Sequence, residues 1–212
     1  MIPTKQELDA ALIERIGAES FTKFQKASVA ICGLGGLGSN IAIALARAGI
    51  GHLHLIDFDR VDISNLNRQQ YKASQLGMYK TEALKENLLE IMPYCEIVTD
   101  SIEITEAHIP ELFSEDSILC EAFDVAEKKA MLVNGVLEQL PEKYIVAASG
   151  MAGLLPANEI QTRKITSHFY LCGDETSDVA DDIGLVSSRV MLCAAHQAHA
   201  VLRIIAGEEA EA

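Results

Sequence analysis

The sequence predicts an α/β fold: a mainly parallel sheet with helices on both faces, followed by antiparallel edge strands near the C-terminus. Two observations carry this prediction. Short apolar runs alternate with Ala- and Leu-rich stretches of helical length, the order expected of crossover-connected parallel strands. The alternation stops at Gly150, after which two short β-like runs follow each other directly. A hydrophobic content of 49% over 212 residues is enough for one buried core, so residues 1–212 read as a single domain.

Taken in order, a helix is expected from about Lys5 to Phe24, forming a helical arm over residues 1–26. A core over 27–150 begins with the buried strand Ala27 to Cys32 and a helix from Leu37 to Ala48 that stops at Gly49. The next strand is Leu53 to Asp57, followed by a polar stretch from Asp59 to Ser74. A helix from about Gln75 to Ile91 is closed by Pro93. Strand Glu96 to Ser101, helix Thr105 to Phe113, strand Ile118 to Glu121, helix Val125 to Gln139 and strand Tyr144 to Ala148 complete the core. The closing segment, 151–212, holds edge strands Glu159 to Lys164 and Ser167 to Leu171, an acidic loop Gly173 to Gly184, and an apolar helix Ser187 to Ala206. The ending GEEAEA reads as a solvated tail. Ligands of such sheets sit beyond the carboxyl ends of the strands, here after residues 32, 57 and 121.

Charge and composition exclude several classes. With 17 Lys+Arg against 31 Asp+Glu the net charge is −14, which repels a polyanion and makes nucleic acid an unlikely main partner. The N-terminal stretch has no secretory pattern, and the longest apolar run, Ile41 to Ile50, is broken by Arg47. A cytoplasmic protein without a membrane span is expected. Cys32, Cys95, Cys120, Cys172 and Cys193 are odd in number and form no Cys-x-x-Cys pair, so neither a disulfide framework nor a thiolate zinc site is indicated. His196 and His199 lie three apart but lack a carboxylate partner, and a polar stripe is the preferred reading.

The sharpest motif is Gly33-Leu34-Gly35-Gly36-Leu37-Gly38-Ser39, between a strand and a helix. Gly33, Gly35, Gly36 and Gly38 permit a tight turn and close approach of phosphates, while the helix start favours an anion. Asp57, 57 − 38 = 19 residues beyond Gly38, ends the second strand, where an acid accepts hydrogen bonds from ribose. Rossmann-like adenine nucleotide binding follows from strand, helix and acid together. The segment Asp57-Phe58-Asp59-Arg60-Val61-Asp62-Ile63-Ser64-Asn65-Leu66-Asn67-Arg68-Gln69-Gln70 goes further. Arg68 offers a fork for phosphate oxygens, Asn65 and Gln69 add amides, and Lys80 supplies a compact cation about one turn into the next helix. A triphosphate uses this many donors; hydride transfer does not.

GLGGLGS, DFDRVDISNLNRQ, the lysine of Leu76-Gly77-Met78-Tyr79-Lys80 and the aspartate of Glu121-Ala122-Phe123-Asp124 resemble, in the same order, the ThiF/MoeB/HesA family, relatives of ubiquitin-activating enzymes. The short chain, with Gly173-Asp174-Glu175 and the run Ala194 to Ala198, looks most like the compact ThiF subfamily, which is associated with thiamine biosynthesis. The resemblance implies ATP-dependent adenylation of the C-terminal Gly-Gly carboxylate of a ThiS-like sulfur carrier, with release of pyrophosphate. It further implies Asp57 on ribose, Asn65, Arg68 and Gln69 on phosphates, Lys80 neutralising charge and Asp124 binding Mg²⁺. Asp59 belongs to the same string with a less defined part. Arg15, the only arginine before the glycine loop, is assigned the role of reaching a partner subunit's triphosphate in a homodimer. The chain departs from the family in lacking the paired Cys-x-x-Cys motifs that hold zinc, so no zinc is expected, and in carrying Val125 and Lys128 where relatives often have Asn and Arg. Some relatives use a cysteine after adenylation. Cys172 is the best-placed candidate, although a small buried apolar role is preferred for it.

The alternatives are a relative that activates a small-molecule or RNA carboxylate, as in threonylcarbamoyladenosine dehydratases, an NAD-dependent oxidoreductase, and a non-catalytic binder of a ubiquitin-like partner.

Overall fold

The computed structural model describes residues 2–180 and 183–208; part of the acidic loop, 181–182, and the last four residues of the expected tail, 209–212, lie outside the described residues. The N-terminal arm is two helices, α1 (Lys5–Ile16) and α2 (Ala18–Lys26), rather than the single one expected. Gly17 adopts φ +82, which turns the chain and ends α1 with its N–H on the Ile13 carbonyl. Thr4 and Glu7 cap α1 reciprocally.

The core follows the predicted order: β1 (Ser28–Cys32), α3 (Gly36–Ala48), β2 (His52–Ile56), α4 (Lys80–Ile91), β3 (Glu96–Asp100), α5 (Ile109–Leu112), β4 (Ile118–Glu121), α6 (Ala126–Gln139) and β5 (Tyr144–Ala148). Two helices are shorter than predicted. Gly77 at φ +85 breaks the stretch after a 3-10 turn at Ala73–Gln75, so α4 starts at Lys80 and not at Gln75. The helix expected over Thr105 to Phe113 is a 3-10 turn (Glu106–His108) plus the single turn α5, because Pro110 has no N–H and takes a first-turn position.

Seven strands form one sheet in the order β3-β2-β1-β4-β5-β7-β6, with β6 (Gln161–Lys164) and β7 (Phe169–Gly173) in the closing segment. Six strands run parallel and only β6 is antiparallel, paired to β7. The predicted antiparallel edge is therefore present. Side chains alternate across the sheet: Val29, Ile31, Leu53, Leu55, Cys120 and Val146 face α3, α4 and α7 (Ser187–Ala206), while Ala30, Cys32, Leu119 and Ile145 face α5 and α6. Both faces are apolar because both are covered. No helix among the described residues is long and apolar enough to cross a membrane.

Candidate functional site

At the carboxyl ends of β1, β2, β4 and β5 the chain opens into a cavity of about 670 Å³. The glycine loop forms one wall. Gly33, at φ +91, is required on two grounds: the left-handed backbone, and the Ala122 carbonyl oxygen 2.9 Å from where a Cβ would stand. Gly38 does not line the cavity. A Cβ there would lie 1.9 Å from the Gly33 oxygen, so Gly38 serves close helix-to-loop packing, which corrects its expected place among the ligand-facing glycines.

Asp57 is buried beside the loop and braces it: Oδ2 accepts the Leu34 N–H at 2.6 Å and Oδ1 the Asp59 N–H at 2.8 Å. Lys80 is the first residue of α4, not one turn into it. Its placement follows from the loop: Val61 N–H bonds the Met78 carbonyl and Lys80 N–H the Asp59 carbonyl, which folds the Asp-x-Asp string onto the start of α4. Lys80 Nζ then lies 2.7 Å from Asp59 and 3.7 Å from Asp57, with its side chain 6% exposed.

Arg68, Gln69 and Asn65 occupy the same cavity. Arg68 Nη1 reaches the Asn67 side chain at 2.9 Å and the Ser64 carbonyl at 3.3 Å, but its buried Nε has no hydrogen-bond partner, and neither does Gln69 Oε1. Buried polar atoms are rarely left unpaired. Among the described residues Tyr170, Arg189 and Gln197, which do not line the cavity, also carry such an atom, so it is the convergence of Asn65, Arg68 and Gln69 on the glycine wall that distinguishes this place.

Several residues that hold this loop were invisible to motif reading. Asn40 Nδ2 donates to the Gly36 carbonyl at 2.7 Å and the Arg68 carbonyl at 3.2 Å, and its Oδ1 accepts from Gln70 at 2.7 Å. Tyr71 donates to the Leu34 carbonyl at 2.7 Å; burial, and then Asp57 and Asp59, push its hydroxyl well above the usual range, so it stays a donor. The signal in the sequence was the polar pair Ser39-Asn40 at the head of an Ala/Ile/Leu-rich helix.

Asp124 is exposed at the cavity on the turn after β4, beside Lys128, which pairs with Glu103 at 2.7 Å. Among the described residues no group of three or more metal-binding side chains occurs. An exposed carboxylate at the cavity, such as Asp124, is the donor type that magnesium takes one or two at a time while phosphates and water complete its shell. Arg15 lies exposed in the last turn of α1, outside the residues lining the cavity. Cys172 is buried on β7 with Thr162 at 3.5 Å, and burial raises its thiol to about 11. The small apolar role fits this setting better than a nucleophile.

The sheet order, the glycine loop and the cavity beyond the strand ends define a Rossmann-like α/β protein. Residues 8–212 match the model of the ThiF family, and the chain belongs to that family. It is 35% identical over 136 residues to an adenylyltransferase and sulfurtransferase UBA4 of Eremothecium gossypii, covering 64% of this chain and 30% of that one. It is 38% identical over 99 residues to a tRNA threonylcarbamoyladenosine dehydratase of Bacillus subtilis, covering 46% and 39%. The chain thus spans well under half the length of these curated relatives. Among solved structures, E. coli TcdA, a tRNA N6-threonylcarbamoyladenosine dehydratase determined in complex with ATP, superposes with a TM-score of 0.86 at 21% identity over 98% of both chains. E. coli MccB superposes at 0.72 and 21% identity over 90% of this chain and 59% of that one. At these identities the likeness is one of fold.

Proposed function

We propose that this protein adenylates the C-terminal Gly-Gly carboxylate of a ThiS-like, ubiquitin-fold sulfur carrier, consuming ATP and releasing pyrophosphate, in thiazole formation for thiamine. One observation carries the reading. The cavity brings together the glycine loop, Asp57, Asn65, Arg68, Gln69, Lys80 and Asp124.

The chemistry suits these side chains. A carboxylate oxygen attacks the α-phosphorus, forming the acyl–phosphate bond as the bond to pyrophosphate breaks. The nucleophile is already ionised, so no base is needed, and positioning with charge neutralisation carries the step. Gly33, Gly35 and Gly36 admit the phosphates, Asn65, Arg68 and Gln69 hold them, and Asp57 and Asp59 flank the ribose end. Lys80 exchanges its bond to Asp59 for the phosphate charge. Asp124 would hold Mg²⁺, whose contribution is to neutralise phosphate charge. Arg15 acts only if a second copy brings it to this cavity, as the homodimer reading requires.

A second reading is favoured by the 38% identity over 99 residues to a tRNA threonylcarbamoyladenosine dehydratase: a tRNA-borne carboxylate as the substrate. The net charge of −14 weighs against it. ATP/pyrophosphate exchange with Mg²⁺ separates the two. Exchange that needs a carrier with its terminal Gly-Gly supports the proposal. Exchange driven by threonylcarbamoyladenosine-containing tRNA supports the second reading, and exchange with neither overturns both.

A further inference from the structure

We propose that Lys129 is a positioning residue of this nucleotide site, acting through Glu121 on the turn that carries Asp124. The inference deepens the adenylation reading and rests on it for the ligand's identity.

Strand β4 ends at Glu121, and the chain then turns through Ala122, Phe123 and Asp124 into α6. The Glu121 side chain is 1% exposed, and its Oε1 accepts the Phe123 N–H at 2.7 Å, closing the turn on itself. A carboxylate this deep needs a cation beside it. Lys129, in the first turns of α6, provides one: Nζ lies 3.1 and 3.0 Å from the two Glu121 oxygens and donates to the Ala148 carbonyl at 3.0 Å. Three acceptors meet the three donors of an ammonium. Lys129 reaches the cavity wall itself, with Nζ turned to Glu121 and Ala148, and this single side chain ties the carboxyl ends of β4 and β5, where Ala122 to Asp124 and Ser149 to Ala152 also line the cavity. Gln197 of α7 backs the same point through the Glu121 carbonyl at 2.9 Å and the Val146 carbonyl at 3.1 Å.

The turn presses on the glycine loop. The Ala122 N–H donates to the Cys32 carbonyl at 2.9 Å, next to Gly33, and the Ala122 oxygen and Phe123 ring leave no room there for a Cβ, so a shift of the turn reaches the glycine loop and moves Asp124 with it. Lys128, by contrast, spends its charge on exposed Glu103 and holds neither strand.

The test compares Lys129→Met, Lys129→Arg and the double variant Lys129→Met/Glu121→Gln. Affinity for a non-hydrolysable ATP analogue is read by calorimetry, and protection of the Phe123 and Asp124 amides by hydrogen exchange. Lys129→Met is expected to weaken binding about tenfold or more and to expose both amides, as small misplacements of a site do. The double variant removes the buried charge while Gln keeps an acceptor for Phe123, so it and Lys129→Arg should bind within about threefold of wild type. Wild-type affinity in Lys129→Met overturns the proposal. So does a double variant as weak as Lys129→Met, which would mean that Lys129 touches the nucleotide itself. If Lys129→Met does not fold, the other two variants decide: binding within the stated range supports the proposal and its loss in the folded double variant overturns it. These readouts use no carrier, so absent exchange activity would sink the adenylation reading while leaving this result standing.

Discussion

The two flanks of the central strand β1 are built in different ways. On the β2 and β3 side the site residues lie in one stretch from Asp57 to Lys80, and their ties are short in sequence, such as Asp59 N–H on Asp57 and Lys80 N–H on the Asp59 carbonyl. On the β4 and β5 side the cavity is braced by partners far apart in the chain: Glu121 with Lys129 and Gln197, and Asp174 with Arg189. The first flank is a loop motif and the second is a tertiary assembly of buried charges. Motifs report on the former because neighbours in sequence are neighbours in space.

If this division holds, the largest stability loss comes from the second flank. The Asp174 and Arg189 side chains are 2% and 4% exposed, and Arg189 also donates to the Leu155 and Pro156 carbonyls. Arg189→Met leaves a buried carboxylate without its cation and should cost about 3–5 kcal/mol in urea unfolding at pH 7. Hydrogen bonds from Ser177, Thr176 and Arg189 outweigh burial and hold the Asp174 carboxyl well below its ordinary value. Its contribution is therefore complete above the unfolded pKa of about 3.9 and is lost as pH falls below it, so the deficit should shrink in acid.

On the first flank the effect should fall on function. Arg68→Ala removes a guanidinium whose hydrogen bonds run to the neutral Ser64 carbonyl and Asn67 side chain, so exchange should drop about 100-fold while unfolding free energy changes by less than about 1 kcal/mol. An equal loss of stability would show that Arg68 is structural and erase the contrast.

Smaller effects sharpen the picture. Cys172→Ala should keep exchange within about threefold of wild type, and the thiol should label with iodoacetamide about 100-fold more slowly than an ordinary one at neutral pH, since burial cuts its thiolate fraction. Rapid labelling would reopen a nucleophilic role. His54 lies away from the cavity with Nδ1 2.7 Å from Asp116 and Nε2 2.8 Å from Asp100. Burial lowers its pKa, but the two carboxylates together outweigh burial and raise it overall. The stabilisation is then complete below about pH 6.5 and fades as pH rises through the raised value, so the stability gap between wild type and His54→Gln should narrow towards alkaline pH, read by urea unfolding. A constant gap would mean the ring is neutral throughout.

Much of the fold was legible in the amino acids. The strand and helix order, β4, β5 and α7 followed from apolar runs between breakers, because burial of both sheet faces imposes that pattern. Local geometry set the misses: Gly17 and Gly77 took left-handed backbones and Pro110 withheld an N–H, and each cut a helix that periodicity alone extended. Within the site, Gly33, Asp57, Arg68 and Lys80 were readable from spacing, and the cavity gathers all four. Gly38 was misplaced because only packing against the Gly33 carbonyl reveals which glycine faces a ligand and which faces the protein.

By itself the sequence determined the class of sheet, the glycine loop between β1 and α3 and the cations beside it, since each rests on residues close together in the chain. Only the tertiary structure decided that Lys129 serves Glu121, that Arg189 serves Asp174 and that Asn40 holds Arg68. A buried charge must find its counter-charge wherever the fold brings one within about 3 Å, and separation along the chain carries no record of that choice.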